Sequence, residues 1–175
     1  MGITNTKVYN NLIITSNYLE TLNNTNKKFI NDFINLWNIY VSEESQRERK
    51  ESLNTIINSV RNNYYLDKNH IIYFVIGFYQ HEIVSISRFV ILEKNIIYPE
   101  KCVFVCGMTT SKNFRRKGFC SKCIKRVIDF ATKNCLPIIL YVKHGNIPAI
   151  KCYQNNNFII VDDRYDHHIM KYTTR

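Results

Sequence analysis

The fold class predicted by this 175-residue sequence is α/β, built on one mixed sheet. Three observations predict it. Apolar residues recur at helical spacing in some stretches and form short strand-like runs in others. The two kinds of stretch interleave in the order β-α-α-β-β-β-α-β-α-β-β. Hydrophobic residues make up 45% of the chain and aromatics 13%, enough to bury a core and to exclude global disorder.

The elements follow in chain order. Leu12-Ile13-Ile14 is a short strand candidate. Residues 26–41 place Phe29, Phe33, Leu36, Trp37 and Tyr40 on one helical stripe. Ser42-Glu43-Glu44 reads as a break and a new helix start, with acids in its first turn. Leu53, Ile56, Ile57 and Val60 continue that second helix, and Asp67 to His70 end it. Residues 71–78 and 83–92 are two strands joined by a tight polar turn at Gln80-His81. Cys102 to Thr110 is the next strand, with Gly107 marking a bulge.

From Phe119 the period becomes helical, with Cys123, Ile124, Val127, Ile128 and Ala131 inward and Lys122, Lys125, Arg126, Asp129 and Lys133 outward. Asn134 and Pro137 stop it. Ile138 to Val142 is a strand, and 147–156 is a helix that tolerates Pro148 in its first turn. Phe158–Val161 and His168–Tyr172 are the last strands. No repeat or linker interrupts the chain, so 1–175 is expected to be a single domain.

The net charge of +10 is unevenly placed. Residues 101–151 hold eleven Lys or Arg against the single acid Asp129, so this stretch alone carries +10. Such a field suits a polyanionic partner, or simply a solvated basic face. No apolar run approaches the roughly 20 residues of a membrane span, and no secretory pattern is visible. No membrane partner and a cytoplasmic location are therefore expected. Met1-Gly2-Ile3-Thr4-Asn5-Thr6 fits the loose myristoylation pattern, which is short enough to arise by chance. Six cysteines without a signal peptide predict a reduced chain. Cys102, Cys106, Cys120 and Cys123 imitate a zinc site, but four residues of strand separate the first two by roughly 13 Å, too far for one ion. No metal is expected. A redox role for Cys120 and Cys123 is the minor alternative to two small, semi-buried residues.

The chemistry is carried by Phe114-Arg115-Arg116-Lys117-Gly118-Phe119-Cys120-Ser121. A strand, a basic loop containing glycine and then a helix make an anion site. The unpaired N–H groups and the dipole of the helix start favour negative charge, and glycine lets the backbone approach it. The pattern is neither a Walker loop nor a dinucleotide fingerprint. About 25 residues further on, Val142, Asn146, Ala149, Tyr153 and Asn157-Phe158 form a second constellation.

Together the two motifs resemble the GNAT superfamily of acyl-CoA N-acyltransferases over residues 102–158. Arg115-x-x-Gly118-x-Cys120 is similar to that family's R/Q-x-x-G-x-G/A loop, with Cys120 in place of the final small residue. Asn157 replaces the family's Gly before Phe158, and asparagine is the next-best residue for a left-handed helix end. The resemblance implies a central, mostly antiparallel mixed sheet flanked by about four helices. It also implies acetyl-CoA as co-substrate and direct acetyl transfer to a primary amine in a ternary complex without a metal. Main-chain groups of Met108, Thr109 and Thr110 would pair with the pantetheine. The bulge near Gly107 would splay this strand from 138–142 and open a slot for the thioester. Amides from Arg116 to Ser121, within Arg115, Arg116, Lys117, Gly118, Phe119, Cys120 and Ser121, would hold the pyrophosphate. Asn146 would bond the pantetheine, and Lys151 or Lys122 would meet the ribose phosphate.

Tyr153 would touch the cofactor and act as general acid, protonating the departing thiolate. Without the flanking motif it reads better as a packing aromatic on an amphipathic helix. No acid stands on the strand before the loop, and Glu82, Glu93, Glu100 and His144 are the remaining candidate bases. Glu43, Glu44, Glu48 and Glu51, with Asp162, Asp163 and Asp166, are either solvated turns or a lure for a cationic amine such as a polyamine or a lysine side chain. The protein is expected as monomer or homodimer. Two other classes compete: a non-catalytic acyl-CoA-binding regulatory module, and a basic nucleic-acid-binding protein. The latter lacks any recognisable module, so no nucleic-acid partner is expected.

Overall fold

The structure, a computed structural model, describes residues 9–45, 48–63, 70–93 and 100–174. The strands are β1 (Tyr9–Thr15), β2 (Ile72–Tyr79), β3 (Glu82–Leu92), β4 (Cys102–Thr110), β5 (Ile138–Lys143), β6 (Phe158–Arg164) and β7 (His167–Tyr172). The helices are α1 (Ser16–Thr25), α2 (Lys27–Ser45), α3 (Leu53–Asn63), α4 (Phe119–Lys133) and α5 (Ile147–Gln154), with a short 3₁₀ turn at Lys112–Phe114. The strands form one sheet in the order β1-β2-β3-β4-β5-β7-β6. Every neighbouring pair is antiparallel except β4 with β5. The mixed, mostly antiparallel α/β sheet is therefore as expected.

Two expectations about the helices need correction. Among the described residues five α-helices flank the sheet, against about four expected. The extra one, α1, is rich in Asn and Thr and shows little apolar period; Thr15 caps it by accepting the Tyr18 N–H at 3.3 Å. The break expected at Ser42 is also absent, because α2 runs on to Ser45. The Ser42 hydroxyl instead accepts the Arg49 N–H at 2.8 Å in the following connection. The next helix is opened by Ser52, whose hydroxyl accepts the Thr55 N–H at 3.2 Å. The end expected between Asp67 and His70 falls mostly outside the described residues, as does the Gly2 motif.

The sheet divides the core in two. On one face α1, α2 and α3 pack Leu19, Phe33, Trp37 and Ile56 against Phe74, Ile86, Val90 and Phe104. On the other, α4 and α5 pack Ile124, Val127 and Tyr153 against Val75, Phe89, Val105 and Leu140. The β2–β3 turn holds Gln80 and His81 at φ 50° and 71°, the left-handed pair that a two-residue hairpin turn requires, without the usual Asn-Gly. Among the described residues no helix is long and apolar enough to cross a membrane.

Candidate active site

The site starts with a bulge. Across β3 and β4, Arg88 pairs with Gly107 but Phe89 pairs with Val105, leaving Cys106 as the extra residue. Pairing of β4 with β5 runs from Val103↔Ile138 to Val105↔Leu140 and stops there. Beyond that point the parallel strands part, and burial falls where they do: Cys102 to Val105 are buried, whereas Cys106, Gly107 and Met108 are half-buried. Cys106–Thr110 and Tyr141–Lys143 are therefore unpaired with one another, and the gap begins beside the bulge at Gly107.

The basic loop follows directly on β4. Ser111 follows β4 and donates its N–H to Val84 O at 2.9 Å, and the 3₁₀ turn then leads into the basic loop. Arg116 at φ 59° and Gly118 at φ 81° both take left-handed conformations. A Cβ at Gly118 would meet nothing within 4 Å, so its glycine is required by backbone angle and not by space. The first intrahelical bond of α4 runs from Lys122 N–H to Gly118 O at 3.1 Å. The N–H groups of Cys120 and Ser121 precede it and have no intrahelical acceptor. The side chains are drawn back: Arg115 Nε donates to Thr110 O at 3.0 Å and Lys117 Nζ to Asn113 O at 2.8 Å. Lys122 lies 5.3 Å over the Phe119 ring. The loop therefore offers backbone donors inside a basic rim.

Helix α5 follows on β5. Asn146 caps it, its side-chain oxygen accepting the Ala149 N–H at 3.3 Å. Asn157 ends its turn at φ 64°. Tyr153 is 7% exposed and lies in the α4–α5 core beside Val105, Leu140 and Val142. Burial pushes its phenol up to about 12, so it is a neutral proton donor at neutral pH.

The cysteines behave differently from expectation. Cys120 is not a reduced, isolated thiol: it is joined in a disulfide to Cys152, with 6.7 Å between their Cα atoms. The first turn of α4 is thus tied to the residue before Tyr153. The pairing lies across 32 residues, which no local spacing could reveal. Cys123, the other half of the C-x-x-C, lies instead 3.1 Å from the Ser85 hydroxyl. Cys102 and Cys106 pack on the α1–α3 face and Cys123 on the α4–α5 face, so the sheet separates these thiols. Burial raises Cys102 to about 11 and Cys106 to about 12, keeping both protonated.

The candidate bases are scattered. Glu82 and Glu100 are exposed, and Glu93 pairs with Lys101 at 2.6 Å. His144 shares Asp163 Oδ1 with His168, at 3.0 and 2.5 Å. The hairpin acids are likewise engaged, since Asp166 pairs with His167 at 2.6 Å. The side chains of Glu43 and Glu44 lie outside the described residues, Glu48 pairs with Lys50 at 3.4 Å, and Glu51 is half-buried.

One residue escaped the sequence reading. Arg88 is 8% exposed on the α1–α3 face of β3, directly across from Gly107. Its guanidinium lies 4.3 Å over the Trp37 ring. The signal was present: Arg88 falls in phase with the core-facing Ile86 and Val90, where a charge is out of place.

Comparison with known proteins agrees with this geometry. The model of the Acetyltransferase (GNAT) family matches residues 30–158. No curated protein sequence matches. Among solved structures, the chain is similar to the PaiA N-acetyltransferase from Thermoplasma acidophilum in complex with coenzyme A: 17% identity, 95% and 99% of the two chains covered, TM-score 0.62. It is also similar to YncA, a putative acetyltransferase from Salmonella typhimurium with its cofactor acetyl-CoA: 11% identity, 93% and 92% covered, TM-score 0.63. A third is a GNAT-family acetyltransferase from Staphylococcus aureus: 16% identity, 94% and 98% covered, TM-score 0.64. At these identities the likeness is one of fold.

Proposed function

Because this chain belongs to the GNAT family of acetyltransferases, we propose that it transfers acetyl from acetyl-CoA to a primary amine by direct attack. The observation that carries this reading is the gap between β4 and β5, which opens at the Cys106 bulge. It has the start of α4 at one side and α5 at the other. In this reading Met108, Thr109 and Thr110 pair with the pantetheine, and amides from Arg116 to Ser121 hold the pyrophosphate. The Asn146 side chain, whose oxygen caps α5, turns its amide towards the pantetheine. The thioester then lies in the gap.

The amine nitrogen attacks the thioester carbon from the α1–α3 face. A tetrahedral oxyanion forms, the C–S bond breaks as the carbonyl re-forms, and Tyr153 on the α4–α5 face gives its proton to the departing CoA thiolate. The proton lost from the attacking nitrogen goes to solvent, from which the Tyr153 phenolate is reprotonated. Burial keeps that phenol protonated until it is needed. Two faces of one sheet thus serve the two substrates.

A free-thiol assay with acetyl-CoA and a panel of primary amines tests the reading. Release of CoA that depends on the amine is expected. Saturable acetyl-CoA binding with no turnover on any amine would favour a non-catalytic acyl-CoA-binding module, the alternative suggested by the lack of an acid on β4.

A further inference from the structure

Among the described residues, Arg88 is a buried cation with no counter-ion. No ion pair to it exists among the described residues. Its Nη1 reaches the Ser59 hydroxyl at 3.5 Å, the limit of a hydrogen bond. Its Nε is sealed from solvent and unpartnered. Nη2 is not sealed in this way, and it has no acceptor among the described residues. Burying a charge without a partner is costly, and such a group persists where something else compensates. The ring of Trp37 compensates in part.

Its place in the fold says what supplies the rest. Arg88 stands opposite Gly107, at the bulge where β4 leaves β5. A Cβ at Gly107 would lie 3.5 Å from Arg88 Nε, 3.4 Å from the Tyr40 hydroxyl and 3.6 Å from Trp37 Cη2. Only the hydrogen of a glycine separates the strand that borders the slot from the guanidinium. Arg88 also lies on the α1–α3 face, the side from which the amine attacks in the proposed reaction.

We infer that Arg88 binds the carboxylate of the acceptor, so that the substrate is an amine that also carries a carboxylate, as in an amino acid. This rests on the acetyl-transfer reading above and names the substrate class of that site. Nη2, the guanidinium nitrogen that is not sealed, offers N–H donors to a carboxylate oxygen, and the charge of the group opposes that of the carboxylate. The same charge opposes a cationic acceptor. A buried guanidinium beside the slot repels a polyamine's second ammonium and lowers the pKa of the attacking amine, which favours its nucleophilic neutral form. The acids of the last hairpin do not reverse this preference, since Asp163 and Asp166 are already bonded to histidines.

The test compares amino acids with their decarboxylated counterparts: ornithine with putrescine, lysine with cadaverine, phenylalanine with phenethylamine. Wild-type protein should show at least a tenfold higher kcat/KM for the carboxylate-bearing member of a pair. In Arg88→Gln and Arg88→Met that ratio should fall to about one, through KM, with acetyl-CoA affinity unchanged. Arg88→Lys should keep part of it. Arg88→Met removes a buried unpaired charge, so its Tm should equal or exceed that of the wild type, which guards against a folding defect.

Equal or better turnover of the decarboxylated amines by wild-type protein would overturn the inference and leave acetyl transfer standing. Absence of acetyl-CoA binding would remove both. If no amine in the panel turns over, the same compounds are tested by thermal shift on CoA-loaded protein. Stabilisation by the amino acids that Arg88→Gln abolishes supports the assignment, and its absence, or an equal shift in the variant, overturns it.

Discussion

Tyr153 and Gly118 have separable roles. In the proposed reaction the Tyr153 phenol gives up its proton only as the C–S bond breaks, so its loss falls on turnover more than on cofactor binding. Tyr153→Phe should therefore lower kcat by about 100-fold or more while the acetyl-CoA Kd changes less than about threefold. Unchanged kcat would remove Tyr153 from the acid role. Its pH dependence follows from burial. The folded pKa, about 12, lies above the ordinary value of 10, so the neutral form is favoured in the fold. Stability from that source is complete below pH 10 and is lost as pH rises towards 12. Turnover corrected for amine ionisation should accordingly show no falling limb between pH 7 and 10; a limb there that vanishes in Tyr153→Phe would contradict the burial. Gly118 acts through its backbone. Forcing Ala into φ 81° should cost about 1–2 kcal/mol in stability, measurable by urea denaturation, and should weaken acetyl-CoA binding by displacing the loop amides.

The disulfide and the last hairpin act at the scale of elements. Cys120–Cys152 fastens α4 to α5, and so fastens the loop amides to the helix that carries Tyr153. Closing a chain segment across 32 residues stabilises by about 3–4 kcal/mol on a chain-entropy account. Reduction with a dithiol, or Cys152→Ser, should lower Tm by several degrees, and wild-type protein with dithiol should match the variant without it. Identical melting of wild-type protein with and without reductant would show that the link does not stabilise the fold. On the β6–β7 hairpin, the hydrogen bond from His168 holds the Asp163 carboxyl below its ordinary value. That group contributes stability above the ordinary carboxylate pKa and loses it as pH falls. Acid should therefore loosen this hairpin, seen as faster amide exchange near His168 in wild-type protein than in Asp163→Asn relative to neutral pH.

At the scale of the whole molecule, most of the fold was legible because its strands are apolar and short and its helices α4 and α5 are strongly patterned. The Gly107 bulge, the Gly118 turn and the Asn157 helix end were each announced by residue type. What could not be read was set by tertiary context. Helix α1 has almost no apolar stripe and is held by its cap at Thr15 and by Leu19 alone among its fully buried hydrophobic residues. Ser42 offered a helix start that the Arg49 N–H claimed for the loop. Cys120 found Cys152 across a helix and a strand; Arg88 was legible as a charge in phase with Ile86 and Val90, but its place opposite Gly107 was not. The family motif marked the side of the sheet that would face the cofactor in the proposed reaction; the side that would face the acceptor carries no motif and had to be seen folded.

The central claim is that the slot beside Gly107 and the loop at Gly118 receive acetyl-CoA. Isothermal titration of the full chain with acetyl-CoA tests it most directly. The account predicts saturable binding of one acetyl-CoA per chain, weakened at least tenfold in Gly118→Ala. Titration that yields no saturable heat at any temperature, with the protein folded, would contradict it.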